Sequence, residues 1–179
     1  MHEIVTERIA IGVADGTQMG GYLARPAHLG PHPGLLVFQE IFGVNAHIRD
    51  VTERFAREGY VALAPELYHR STPGYEGSYD DVQGGIALAT KLTPTDVGAD
   101  LAAACAHLQA SSTVRRERIG AIGYCMGGRL AFMANAQLPL RAAVSYYGGG
   151  IAPGLLPLAE RMAGPLLLVW AGQDGYIPP

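Results

Sequence analysis

At 179 residues, 49% hydrophobic and 16% charged, the chain is sized for one globular domain over residues 1–179 with a substantial core. A net charge of −3 excludes broad electrostatic attraction to nucleic acid or an anionic membrane, and no stretch approaches the roughly 18 apolar residues of a membrane span. The two cysteines, Cys105 and Cys125, have no Cys-x-x-Cys or Cys/His ligand spacing, which excludes a disulfide framework and a zinc site and makes a reducing, cytoplasmic setting the expectation.

Residues 4–13 and 20–24 read as two short strands joined around Asp15-Gly16, a hairpin that supplies an antiparallel edge. After a proline-marked loop, Leu35-Leu36-Val37-Phe38 is a continuous apolar run, as a strand covered on both faces requires, and it runs into Gln39-Glu40-Ile41. From Asn45, Ile48, Val51 and Phe55 recur at helical spacing between charged residues, and Gly59 ends that amphipathic helix. Residues 60–64 form the next strand, stopped by Pro65. The segment 65–80, rich in Pro, Gly, Ser and Tyr, reads as a surface loop forming a pocket wall.

Thr93-Pro94-Thr95-Asp96 has the form of a capping box with proline at the first helical position, and Val97, Leu101, Ala104, Cys105 and Leu108 then mark one helical face. Cys105 therefore belongs to the core. Arg115, Arg116 and Arg118 are expected in a solvated loop before a strand at Ile119-Gly120-Ala121-Ile122. A helix over 130–136, a strand over 142–147 and a last strand over 166–170 complete the pattern. Strands alternating with helices indicate an α/β fold with a mostly parallel central sheet and helices on both faces. Ligands of such sheets bind beyond the carboxyl ends of the strands, where Glu40, Cys125 and Asp174 each follow a different strand.

The densest signal is Gly123-Tyr124-Cys125-Met126-Gly127-Gly128 between a buried strand and a helix. This is the G-x-S-x-G nucleophile elbow with a thiol in place of the hydroxyl: a strained turn lifts the side chain clear, and glycines let strand and helix approach. A dinucleotide fingerprint is excluded, because its spacing needs glycine where Cys125 stands. The helix N-terminus after Cys125 is expected to favour thiolate. The backbone N–H of Met126 is one oxyanion donor, and Ile41, in the loop after an earlier strand, is the candidate for the second.

GYCMGG, QEIFGVNAHIRD, YVALAPELYHR, VSYYGGG and the GQD after the last strand together resemble the dienelactone hydrolase family of α/β-hydrolases, in order along nearly the whole chain. The resemblance implies an enzyme that hydrolyses a lactone or small carboxylic ester through a cysteine acyl-enzyme, with no cofactor and a small-molecule substrate as its partner. It implies Cys125 as nucleophile, Asp174 as the acid that orients a histidine, and Glu40 as a carboxylate modulating the thiol.

Two features depart from the family pattern. The triad order is nucleophile, acid, histidine, yet all six histidines (His2, His28, His32, His47, His69 and His107) precede Cys125. The expectation is therefore a C-terminally truncated domain whose missing strand and helix would carry the base, with little hydrolysis by these 179 residues alone. His69 is a poor substitute base, and His47 is expected at solvent or capping backbone. The family's arginine for a substrate carboxylate has no counterpart in residues 71–90, which leaves Arg70 as the cation to reach the pocket. The alternative reading is a non-catalytic α/β-hydrolase scaffold that binds a small ligand.

Overall fold

A computed structural model describes residues 2–28 and 30–177; Pro178 and Pro179, at the end of the chain, lie outside them. The elements follow in chain order as β1 (Ile4–Gly12), β2 (Gln18–Pro26), β3 (His32–Phe38), α1 (Ala46–Arg57), β4 (Val61–Pro65), α2 (Val82–Ala89) and α3 (Pro94–Ala110). Then come β5 (Val114–Tyr124), α4 (Met126–Gln137), β6 (Ala142–Tyr146), the short α5 (Ile151–Gly154), a 3-10 segment (Leu156–Arg161) and β7 (Leu166–Val169).

The strands form one sheet in the order β1-β2-β4-β3-β5-β6-β7. The β1–β2 hairpin and its join to β4 are antiparallel, and every pairing from β4 through β3, β5 and β6 to β7 is parallel. This is the expected mostly parallel α/β sheet with an antiparallel edge. The central strands carry continuous apolar runs because both of their faces are covered. One face packs against α3 and α4 through Leu36, Phe38, Leu101, Cys105, Leu108, Ala121 and Leu130. The other packs against α1 through Leu35, Val37, Ile48, Val51 and Ile122.

Local chemistry sets the helix starts. Asn45 Oδ1 accepts from the Ile48 N–H (3.1 Å) at α1, and Thr93 Oγ1 accepts from the Asp96 N–H (3.1 Å) at α3. Each such cap contributes about 1 kcal/mol. Gly59, at φ 98°, sits in the left-handed region that ends α1. No helix among the described residues is long and apolar enough to cross a membrane.

The fold corrects one expectation. Arg115, Arg116 and Arg118 lie within β5 rather than in a loop before it. Their side chains are exposed, and the register with β3 jumps from Pro33–Arg115 to Gly34–Ile119, so residues 116–118 bulge out unpaired with β3. Charge made this stretch read as loop, whereas backbone pairing around the bulge makes it strand. Helix α2 forms in a stretch to which the sequence reading assigned no element.

The loop after β4 is pinned from below. Asp100, wholly buried on α3, accepts two hydrogen bonds from Arg70 (2.8 Å each) and one from His69 Nε2 (3.1 Å). Arg70 Nε also reaches Asp15 (2.8 Å) in the β1–β2 turn, so one guanidinium ties hairpin, loop and helix together. These carboxylates hold the Arg70 pKa well above its usual value, with Asp100 the largest cause. Asp100→Asn leaves the shape intact but removes the buried charge these donors share. It is expected to cost about 2 to 3 kcal/mol in urea unfolding.

Candidate active site

The turn after β5 carries Cys125 at φ 54° and ψ −118°, a positive φ rare for a side-chain-bearing residue. Neighbouring backbone over-determines this geometry. The Cys125 N–H donates to the Tyr146 carbonyl (3.0 Å) on β6, while its own carbonyl accepts from Gly128 N–H (3.0 Å) and Arg129 N–H (3.3 Å). The flanking glycines are steric necessities. A Cβ on Gly123 would overlap the Gly127 carbonyl, one on Gly127 the Phe38 carbonyl, and one on Gly128 the Tyr146 carbonyl. Strand and helix therefore meet as a nucleophile elbow does, with Cys125 as the residue preceding α4.

The charges of Glu40 and Asp174 both act on this thiol. Buried Gln39 stitches the loop after β3 to the loop after β4: its Oε1 accepts from Leu67 N–H (3.2 Å), and its Nε2 donates to the Glu40 carbonyl (3.3 Å). The Glu40 carboxylate accepts from the Tyr79 hydroxyl (2.7 Å). Asp174 follows β7, and its Oδ1 accepts from Tyr176 N–H (2.8 Å) and Ile177 N–H (3.0 Å). It is thus a turn-capping carboxylate whose charge also acts on the thiol. Ile41, the proposed second oxyanion residue, stands beneath α2, where a Cβ on Gly85 would come 3.0 Å from its carbonyl oxygen. That carbonyl accepts from the Tyr68 hydroxyl (3.0 Å).

The thiol's electrostatics differ from the expectation of a helix-stabilised thiolate. Burial pushes the Cys125 thiol pKa up. A hydrogen bond from Met126 N–H opposes that rise, and the charges of Glu40 and Asp174 add to it. Desolvation and two nearby carboxylates outweigh one helix-terminal N–H, so the resting group is the protonated thiol at neutral pH. The sign is testable. Glu40→Gln deletes a negative charge that opposes thiolate formation, so its iodoacetamide alkylation profile is expected to shift to lower pH, with modification at pH 7 several-fold faster than in the unsubstituted chain.

Three tyrosines interact with Glu40 or the thiol, and none was assigned a role in the sequence. Burial, followed by the charges of Glu40 and Cys125, raises the Tyr147 pKa; Tyr147 itself adopts φ 39° beyond β6. Burial likewise raises the pKa of Tyr68, with Tyr75 and Cys125 as further causes. Tyr79 is pushed up to about 12 by burial and by its bond to Glu40, and its ring packs 4.6 Å from Phe42. All three remain neutral hydrogen-bonding phenols at physiological pH. Tyr68 and Tyr79 bring the loop after β4 to the site through their hydrogen bonds to the Ile41 carbonyl and the Glu40 carboxylate. Only the double tyrosine of VSYYGGG hinted at Tyr147.

Other sequence expectations resolve individually. Arg70 does not serve the pocket, because Asp100 and Asp15 hold it. His69 is bound to Asp100 in a buried site, and Cys105 lies in the core as expected. His47 is exposed, its ring 6.5 Å from Tyr79 and 6.4 Å from Tyr124. Among the described residues no group of three or more His, Cys, Asp or Glu side chains is placed to hold a metal ion.

Comparison with known proteins places this geometry in context. The profile of the dienelactone hydrolase family matches residues 19–179. A carboxymethylenebutenolidase of Pseudomonas putida is 34% identical over 181 residues, covering 98% of this chain and 74% of that protein. A Synechocystis sp. relative, which bears the same name provisionally, is 39% identical over 170 residues, 90% of this chain and 69% of its own length. The crystal structure of a Klebsiella pneumoniae protein assigned as a dienelactone hydrolase superposes with a TM-score of 0.86 at 34% identity, covering 99% of this chain and 76% of that one.

Proposed function

The chain belongs to the dienelactone hydrolase family, and on that premise we propose that it hydrolyses a lactone or small carboxylic ester through an acyl-enzyme on Cys125. The observation that carries this reading is the Cys125 elbow itself. A thiol sits at positive φ before α4, and the Met126 N–H and the charges of two carboxylates act on its ionisation.

In the first half-reaction the Cys125 sulfur attacks the ester carbonyl carbon. A C–S bond forms, and the carbonyl electron pair moves onto oxygen, where the N–H groups of Met126 and Ile41 receive it. Collapse breaks the bond to the leaving oxygen, which takes up the proton released by the thiol and departs as an alcohol from an ester, or stays on the acyl group as a hydroxyl from a lactone. Water then cleaves the thioester, giving the acid and regenerating the thiol. Glu40 modulates thiol ionisation, with Tyr79 fixing its carboxylate. Asp174 occupies the acid position of the triad. His69 is engaged by Asp100 and is not the base for Cys125.

The charge around the thiol favours a neutral ester or lactone over a carboxylated one. Glu40 and Asp174 are both anionic neighbours, and Arg70 is committed elsewhere. Intact mass spectrometry after mixing with p-nitrophenyl acetate tests the reading: one acetyl group on Cys125, with a matching burst of p-nitrophenol, is expected. A chain that binds the ester yet shows neither would be a ligand-binding scaffold instead.

A further inference from the structure

The nucleophile's helix also forms one wall of a groove that the reaction above does not use. Met126, Leu130 and Met133 fall at i, i+4 and i+7 on one face of α4, opposite Ile86 and Ala89 of α2, with the first turns of α3 closing the floor at Val97. The groove encloses about 380 Å3. Its one charged lining residue among those described, Arg129, has its guanidinium near Gly150, on the side of the β6–α5 loop. Ile86 stays 42% exposed at the rim, where an apolar side chain gains nothing from water.

The groove shares Met126 with the oxyanion corner. Helix α2 rests on Ile41 through the close approach of Gly85, and its other side faces Met126, the residue after the nucleophile. The Tyr68 hydroxyl spans the same corner, donating to the Ile41 carbonyl and lying 3.7 Å from Met126 Sδ. A carbonyl carbon bonded to the Cys125 sulfur therefore stands one residue along the chain from Met126, the nearest wall of the groove.

We infer that this α2–α3–α4 groove is the acyl-chain subsite of the enzyme, accepting unbranched apolar acyl groups of about four to eight carbons. The inference rests on the reading of Cys125 as the acylated nucleophile. The acyl chain is the occupant because it stays attached to sulfur through both half-reactions, whereas the leaving alcohol must depart after the first. Each methylene buried in such a channel favours binding by about fourfold.

Thiol alkylation tests the groove without requiring ester chemistry. N-ethylmaleimide and N-hexylmaleimide are each reacted with the chain, and Cys125 labelling rates are read by peptide mass spectrometry. The same is done for Ala89→Trp, which fills the groove, and for Ile86→Asp, a change at an exposed rim position. The hexyl-to-ethyl rate ratio, corrected for the ratio with free cysteine, is expected to reach at least about tenfold in the unsubstituted chain and to fall towards unity in both variants. A corrected ratio near unity in the unsubstituted chain, or one that neither substitution changes, overturns the subsite. The two readings fail separately. A chain that p-nitrophenyl acetate cannot acylate, but that keeps the substitution-sensitive hexyl preference, refutes the hydrolase and supports the groove; acetylation of Cys125 without that preference does the reverse.

Discussion

Alanine at position 125 is expected to abolish covalent capture of p-nitrophenyl acetate and to slow any ester hydrolysis by the chain by about 10^4-fold or more. The chain has one other thiol, and the structure rules on it. Cys105 is buried on α3, and burial alone raises its pKa, so it presents neither thiolate nor access. Cys105→Ala is therefore expected to keep the acetyl adduct while Cys125→Ala loses it, a contrast that intact mass spectrometry reads directly. An adduct persisting in Cys125→Ala would sink the nucleophile assignment.

Gly127→Ala is expected to destabilise the fold by about 4 kcal/mol or more, a loss large enough to leave little folded protein. Its Cβ would overlap the Phe38 carbonyl and stand 2.6 Å from the Gln39 carbonyl. Both obstacles are backbone. Phe38 is paired with Gly123 in the centre of the sheet, and α4 is held at its start by bonds to the Cys125 carbonyl, so neither side can retreat cheaply. The same substitution at Gly98 of α3 should act oppositely. Its Cβ would meet only Gln137 Oε1, at 3.7 Å, and alanine there is expected to add about 0.5 to 1 kcal/mol through helix propensity. Urea unfolding of the two variants side by side separates the clash at the elbow from a general intolerance of alanine.

The thiol shows how opposing local fields combine. A helix N-terminus is the usual reason to expect a thiolate, and the Met126 N–H does act in that direction. Its effect is smaller than that of removing the sulfur from water beside Glu40 and Asp174. The same burial that makes an acyl intermediate accessible to little water keeps the resting nucleophile protonated. Any group that neutralises Glu40 or moves it away therefore activates Cys125.

Much of the architecture was readable from local chemistry. The apolar runs at 35–38 and 61–64 are strands buried on both faces, the Asn45 and Thr93 caps start their helices, and Gly123, Gly127 and Gly128 leave room for the elbow. Each signal sits within a few residues of the element it specifies. Helix α2 had no such signal, because Val82 and Ile86 are exposed and Gly84-Gly85 interrupts the periodicity; Gly85 is needed for close approach to Ile41. The start of β5 was hidden by its charged residues, which pair through backbone around a bulge while their side chains meet water.

By itself, the sequence determined the fold class, the elbow and the three groups that follow separate strands, because strand periodicity and turn sterics are local and parallel topology sends strand ends to one crevice. Only the tertiary structure decided how those groups behave. Tyr79 reaches Glu40 across 39 positions, and Arg70 turns away to Asp100 across 30. The ionisation of Cys125 is a sum over burial and charges brought from distant segments. Such sums depend on distance in space, which residue spacing along the chain does not encode.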